Sequence, residues 1–224
     1  MTTLQDITIK AIIFDHDGTL VDSEGVHCDC WNEVLQPYQQ TLSYDDYCTN
    51  YNGLPTQETA QRIQQEFALP TSANKLYTLK ITALNHHLSL KPFPLLPGVL
   101  ETLNHLKQKA VPLAIASGAN RKEVSHSIEA HNLKQYFRTV STKDDVKHSK
   151  PAPDVYLHAA TQLGIEPQHC LAIEDSDTGE QSAIAAGMPC LRLTPNPNPQ
   201  TKPWPQFKTL ANALPWIQRL HITT

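Results

Sequence analysis

Several things are missing from this sequence of 224 residues, and each absence excludes a class of protein. No apolar run approaches the roughly 18–20 residues of a membrane span. The first ten residues lack a basic-then-apolar signal layout, so a cytoplasmic location is expected. The five cysteines (28, 30, 48, 170 and 190) form no CxxC pair and no zinc-ligand spacing, and are expected to be reduced and packed as small hydrophobes. There is no basic surplus. With 18 Lys+Arg against 22 Asp+Glu, the net charge of −4 leaves no footprint for nucleic acid or an anionic membrane surface. No internal repeat is present, and the length allows one large domain or one domain with an insert.

What is present is a recurring unit. Ala11-Ile-Ile-Phe14 is a short apolar run that breaks into Asp15-His-Asp-Gly-Thr19, as a buried strand does when it ends in a turn. Val111–Ala116 runs into Ser117-Gly118, Phe137–Ser141 into a charged loop, Cys170–Ile173 into Glu174-Asp175, and Cys190–Leu193 into a Pro-rich stretch. Helical spacings lie between these runs: Val99, Leu103, Leu106; Val124, Ile128; and Tyr156, Ala159, Ala160, Leu163 before Gly164. Strand–helix alternation predicts an α/β fold with a Rossmann-like, doubly wound parallel sheet, whose ligands bind beyond the carboxyl ends of the strands. The pattern fails from about Asp22 to Leu90, which reads as several helices with breaks near Gly53-Leu-Pro55 and Leu69-Pro70. The expected organisation is therefore an α/β core from residues 1–20 and 94–224, with an inserted all-helical domain at 21–93. Prolines 195, 197, 199, 203 and 205 predict a surface loop.

Four short segments carry chemistry. Asp15 and Asp17 flank His16 at a strand end; alternation along extended backbone sends both acids to one side and His16 to the other. Two close carboxylates repel and need a cation or a shared proton. Ser117-Gly118 offers a hydroxyl and backbone N–H groups just before a helix, a natural cradle for an oxyanion. Lys150, in Lys150-Pro-Ala-Pro-Asp154, stands at a helix start where the dipole repels a cation, which suggests an anionic partner. Glu174-Asp175 places two hard oxygen ligands, suited to Mg²⁺, at the end of another strand.

Phe14-Asp-His-Asp-Gly-Thr-Leu-Val-Asp-Ser23, Ser117, Lys150-Pro-Ala-Pro-Asp154, Glu174-Asp-Ser-Asp-Thr-Gly179 and Ala185-Ala-Gly-Met188 together resemble the haloacid dehalogenase superfamily, with all four motifs in the family's order. The insert resembles the C1-type helical cap of its phosphatase and β-phosphoglucomutase branch. The resemblance implies Asp15 as nucleophile, forming an aspartyl-phosphate, and Asp17 as general acid, then base. It implies Mg²⁺ held by Asp15, the Asp17 carbonyl, Glu174 and Asp175, with Ser117, Gly118 and Lys150 binding the phosphoryl oxygens. The cap is expected to close over the core and exclude water.

Within that family Asp17 points to phosphoryl transfer, because a departing halide needs no proton. The same residue argues against a phosphonatase, although Lys75 and Lys80 lie in the insert. His27 falls ten residues after Asp17, the spacing of a cap-hinge histidine in β-phosphoglucomutase, but it also shares a helix face with Trp31 and Val34. Mutases carry an Arg three residues after a cap glycine; here Gly53 is followed by Thr56, which cannot grip a second phosphate as a bidentate fork. His27, Trp31, Asn52, Gly53, Thr56 and Lys80 are the insert's candidates for substrate contact, with His27, Gly53 and Thr56 foremost. The expected activity is Mg²⁺-dependent hydrolysis of a small phosphorylated metabolite, such as a sugar or sugar-acid monophosphate, by a monomer without nucleic-acid or membrane partners. A sugar phosphomutase is the alternative. A binding domain that has lost catalysis fits less well, since every core site residue is present.

Overall fold

The computed structural model describes residues 8–198 and 204–223; Pro199, Pro203 and most of the amino-terminal stretch lie outside the described residues. Strand β1 (Ala11–Phe14) is buried along its whole length. It is followed by helices α1 (Glu24–Leu35), α2 (Tyr44–Asn50), α3 (Thr56–Glu66) and α4 (Ala73–Leu90). The alternation then resumes with α5 (Val99–Gln108), β2 (Leu113–Ala116), α6 (Arg121–Ala130), β3 (Thr139–Ser141), α7 (Asp154–Leu163), β4 (Cys170–Glu174), α8 (Asp177–Ala185), β5 (Cys190–Leu193), β6 (Gln206–Phe207) and α9 (Leu210–Ile217). The chain divides into two compact units, Met1–Val21 with Leu95–Thr224, and Asp22–Pro94.

The first unit holds a six-stranded, all-parallel sheet in the order β3-β2-β1-β4-β5-β6. Strands covered on both faces must be apolar throughout, which is why Ala11–Phe14, Leu113–Ala116 and Cys170–Ile173 are continuous apolar runs. Phe14 pairs with Ile115 on one side and Ile173 on the other, so three strands end level. That shared end carries Asp15, Ser117 and Glu174.

The observed strands trim and extend the expected ones. Val111 and Pro112 precede β2: the Val111 N–H returns to the Leu106 carbonyl and closes α5, and Pro112 has no N–H to give. Phe137 precedes β3 and meets the Phe14 ring edge-on at 6.0 Å. Strand β4 runs one residue further, through Glu174. Elements β6 and α9 follow the Pro-rich stretch without a sequence signal. The backbone of α9 passes so near Gly98 (φ +88°) that a Cβ there would lie 2.1 Å from the Ala211 nitrogen, so this crossing admits only glycine.

The second unit is helical. Trp31, Val34 and Leu35 of α1 pack with Tyr47, Ala60, Ile63 and Leu76 into its own apolar cluster. Ser43 and Ser72 accept from the Asp46 and Lys75 N–H groups and cap α2 and α4. Gly53 (φ +77°) turns the chain before Pro55, and α3 starts at Thr56.

Candidate active site

The sheet's carboxyl end gathers the core residues singled out in the sequence. Asp15 continues the ladder one step past β1, its N–H donating to the Ile173 carbonyl at 2.9 Å. The chain then folds back: the His16 carbonyl accepts from Leu20 and Val21, and Gly18 donates to the Val21 carbonyl. Gly18 has φ +77°, and a Cβ there would fall 2.0 Å from an Asp175 oxygen, so the turn can lie against that carboxylate only with glycine. The Thr19 hydroxyl donates to Asp175 Oδ1 at 3.5 Å.

Lys150 is the electrostatic centre. Its side chain is 8% exposed, and Nζ lies 2.5 Å from Asp15 Oδ1 and 2.6 Å from Glu174 Oε1. The anionic partner expected for this lysine is thus a pair of carboxylates. Burial works to lower its pKa, but Asp15 and Glu174 outweigh it and hold the lysine firmly protonated. The ammonium also sits 5.0 Å from the centre of the Tyr156 ring.

Glu174 is wholly enclosed and heavily bonded. Its Oε1 accepts from Lys150 and, at 2.9 Å, from the Tyr156 hydroxyl. Its Oε2 accepts from the N–H groups of Asp175 and Ser176 and from the Ser176 hydroxyl, at 3.1–3.2 Å. Gly179 makes room for it: a Cβ there would overlap both carboxylate oxygens at 1.9–2.1 Å.

Asp15, Glu174 and Asp175 each offer a carboxylate oxygen, all within 4.8 Å of one another. Three hard donors packed this closely fit a divalent cation such as Mg²⁺. The electrostatics agree. Burial, with Glu174 and Asp17 adding to it and Lys150 opposing, pushes Asp15 up to about 7. Burial, Asp15 and Glu174 likewise push Asp175 well above the usual carboxylate range, against Arg192 and Lys150. One lysine does not offset this much negative charge, and a cation would. Glu174 already accepts five hydrogen bonds, so Asp15 and Asp175 are the better placed to bind it directly.

Ser117 is buried at the end of β2. Its N–H donates to the Ser141 carbonyl at 2.9 Å, and its hydroxyl accepts from the Ala119 N–H at 2.9 Å. The expected cradle of N–H groups is therefore tighter than the sequence suggests, because two of them are already engaged. The hydroxyl also approaches Asp17 Oδ2 at 3.5 Å, with Gly118 beside it.

Strand alternation alone would point His16 away from the acids and leaves a contact with them as the alternative; regular strand geometry ends at Phe14, and the structure shows that contact. His16 Nδ1 stands 3.2 Å from Asp17 Oδ2, within ion-pair distance but off the angle of a hydrogen bond. Burial works to lower the His16 pKa; Asp17, Asp15 and Glu123 together raise it. The sequence reading also missed Tyr156, taken there only as part of an apolar face. A tyrosine so near a lysine–carboxylate motif was the available signal, since a buried hydroxyl seeks a partner.

The remaining candidates lie in the helical unit. His27 of α1 is half-buried, with Nδ1 2.9 Å from Lys80 Nζ and its ring edge-on to Phe93. Lys80 is 2% exposed. Gly53 and Asn52 are exposed in the turn before α3, and Thr56 begins that helix. Trp31 is a core residue of this unit, 1% exposed, and not a substrate contact. No described helix is long and apolar enough to cross a membrane.

Residues 12–193 match the haloacid dehalogenase-like hydrolase family. The chain is 37% identical over 181 residues to a fructose-1-phosphate phosphatase of Escherichia coli, covering 79% of this chain and 92% of that protein. It is 35% identical over 196 residues to the protein CbbY of Rhodobacter capsulatus, covering 84% and 86%. Among solved structures, CbbY of Rhodobacter sphaeroides in complex with phosphate superposes with a TM-score of 0.75 at 22% identity, over 92% of this chain and 96% of that one. The β-phosphoglucomutase of Clostridium difficile gives 0.75 at 20%, over 94% and 96%. At those identities the structures speak for the fold, and the family match speaks for the lineage: this chain belongs to the haloacid dehalogenase-like hydrolases.

Proposed function

We propose that the chain is a Mg²⁺-dependent phosphatase that hydrolyses a small phosphorylated metabolite, a sugar or sugar-acid monophosphate, through an aspartyl-phosphate on Asp15. It is a phosphoric monoester hydrolase of the haloacid dehalogenase type, and the metal, the intermediate and the substrate class are the finer reading. One observation carries that reading: a buried carboxylate at a strand end, 2.5 Å from a buried lysine, with a second acid two residues on and two more carboxylates beside it. The fructose-1-phosphate phosphatase among its relatives supports the substrate class.

In the first step an Asp15 oxygen forms a bond to phosphorus as the bond to the leaving oxygen breaks. Asp17 gives its proton to that oxygen, so a neutral alcohol departs. In the second step Asp17, now a carboxylate, takes a proton from water. The water oxygen bonds to phosphorus, and Asp15 leaves as a free carboxylate with inorganic phosphate. Lys150 and the Ser117–Gly118 segment bind the non-bridging oxygens, with charge and hydrogen bonds already in place. Asp15, Asp175, Glu174 and the Asp17 carbonyl would hold Mg²⁺, which when bound supplies the positive charge that lets an anionic nucleophile approach an anionic phosphate. His27, Gly53 and Thr56 are assigned to substrate selection on their sequence positions. Thr56 presents a neutral hydroxyl, which favours hydrolysis over a mutase that must grip a second phosphate.

The test is phosphate release from a panel of phosphorylated metabolites with Mg²⁺, comparing wild type with Asp15→Asn. Release that ranks the sugar monophosphates first and falls by about a thousandfold or more in the variant is expected. Release that survives in Asp15→Asn would place the nucleophile elsewhere. No release from any phosphate ester, with interconversion of sugar phosphates instead, would establish the mutase.

A further inference from the structure

His16 has no place in the chemistry above, yet the fold spends an enclosed position on it. Its exposure is 0%. Neither ring nitrogen makes a hydrogen bond among the described residues. The preceding residues, Ile12-Ile-Phe14, are wholly apolar, and an apolar side chain would fill the same space without stranding two polar atoms. The ring's surroundings are not neutral. Asp17 lies against Nδ1, and Asp15 and Glu123 both act on the ring. Glu123, in the first turn of α6, is itself held by the Asn120 amide at 2.7 Å.

The two partners differ in exposure: the imidazole is fully enclosed, whereas the Asp17 side chain is 26% exposed. An enclosed polar ring against a carboxyl oxygen is a fixed reference for where that carboxyl rests. Both the His16 ring, at 3.2 Å, and the Ser117 hydroxyl, at 3.5 Å, meet the same oxygen, Oδ2.

We infer that His16 is a positioning residue for Asp17: the buried ring fixes the orientation from which the Asp17 carboxyl delivers a proton to the leaving oxygen. This rests on the assignment of Asp17 as general acid. It predicts a defect that follows leaving-group basicity, because a sugar alkoxide must be protonated as it leaves and 4-nitrophenolate need not be.

The experiment compares wild type, H16L, H16N, D17N and H16L/D17N with Mg²⁺. The substrates are 4-nitrophenyl phosphate and the sugar monophosphate that wild type turns over fastest. The second step needs Asp17 whatever the leaving group, so each rate is read as single-turnover release of the sugar or of 4-nitrophenol. H16L should lose about 10- to 100-fold on the sugar phosphate and less than about threefold on the nitrophenyl ester, whose first step bypasses the proton. H16N, whose amide nitrogen can stand near the place of Nδ1, should recover most of the loss. In the D17N background H16L should add nothing, since the two residues act as one unit. If H16L melts below the assay temperature, H16M takes its place against H16N.

Equal losses on both substrates, no loss at all, or a full additional loss in D17N would overturn the inference. The underlying reading fails in a different way. A wild type with no Asp15-dependent release removes the phosphatase and the role of His16 together, and a D17N without leaving-group selectivity removes the acid assignment. Wild type and D17N behaving as expected beside an unselective H16L removes His16 alone.

Discussion

The two units of this chain bury very different things. In the helical unit the enclosed side chains are mostly aromatic and aliphatic, with Trp31, Tyr47, Ile63 and Leu76 in one cluster. At the carboxyl end of the sheet, Asp15, His16, Ser117, Lys150 and Glu174 are buried or nearly so. Apolar burial stabilises by area and tolerates small displacement. Buried charge stabilises little or nothing net, and its value lies in the geometry it enforces. A substitution in the first region should therefore register mainly in stability, and one in the second mainly in chemistry.

The sharpest probe of the charged region removes no charge. A methyl group at residue 179 would overlap the Glu174 carboxylate, so Gly179→Ala must displace it and with it the hold on Lys150. Phosphate release should fall by about 100-fold or more, because a shift of about 1 Å in a positioned group can cost that much. The stability loss should be the ~1–3 kcal/mol of an overpacked site. Steady-state kinetics with a urea melt checks both. A variant that keeps its turnover would show that Glu174 needs no fixed place, and the contrast between the regions would lose its basis.

Trp31→Ala is the converse experiment. Trp31 is 1% exposed within the helical cluster, and truncating such a residue costs about 3–5 kcal/mol. Chemical denaturation should report that loss, and hydrogen exchange should localise it to residues 22–94. Turnover of 4-nitrophenyl phosphate by the folded fraction should fall far less than in Gly179→Ala. A comparable fall would mean that the apolar region shapes the chemistry as strongly as the charged one.

The regions also differ in how much of them the sequence discloses. The sheet is legible because strands covered on both faces must be unbroken apolar runs, and most of the site is legible because Asp15, Ser117, Glu174 and Asp175 stand where such runs end. Lys150 could be expected to meet an anion, since a cation at a helix start has little else to gain. The direction of His16 was hidden for a definite reason: period-2 alternation holds only while the backbone is extended, and the chain turns straight after Asp15. Tyr156 was hidden because a tyrosine at helical spacing looks apolar until its hydroxyl finds Glu174. Helix α9 carries Pro215 in its interior, which in sequence reads as a stop. In the helical unit the breaks at Gly53-Leu-Pro55 and Leu69-Pro70 announced where helices end. The pairing of His27 with Lys80 is a contact across 53 positions, and no local spacing reports it.

The smallest effect tests why the charged region costs stability. Without metal, Asp15 is pushed up to about 7, mainly by burial, whereas in the unfolded chain a carboxylate titrates near its ordinary 3.8. Between those values the folded state holds a proton that the unfolded state has released. Asp15 thus makes the metal-free protein more stable as pH falls from about 7 toward 4, and less stable above 7. Saturating Mg²⁺ should cancel that trend, because it needs the carboxylate and competes with the proton. At pH 6 a competing group of this kind weakens the ion about tenfold relative to pH 8, or ~1.4 kcal/mol of linked stabilisation at saturation. For a chain of this size that corresponds to a Mg²⁺-induced rise in Tm about 3–5 °C larger at pH 8 than at pH 6. Thermal melts with and without Mg²⁺ at the two pH values measure it directly, and Asp15→Asn should abolish the difference. Equal Mg²⁺ shifts at both pH values would mean that the ion does not compete with the Asp15 proton, and the repulsion between carboxylates would no longer account for the metal's fit.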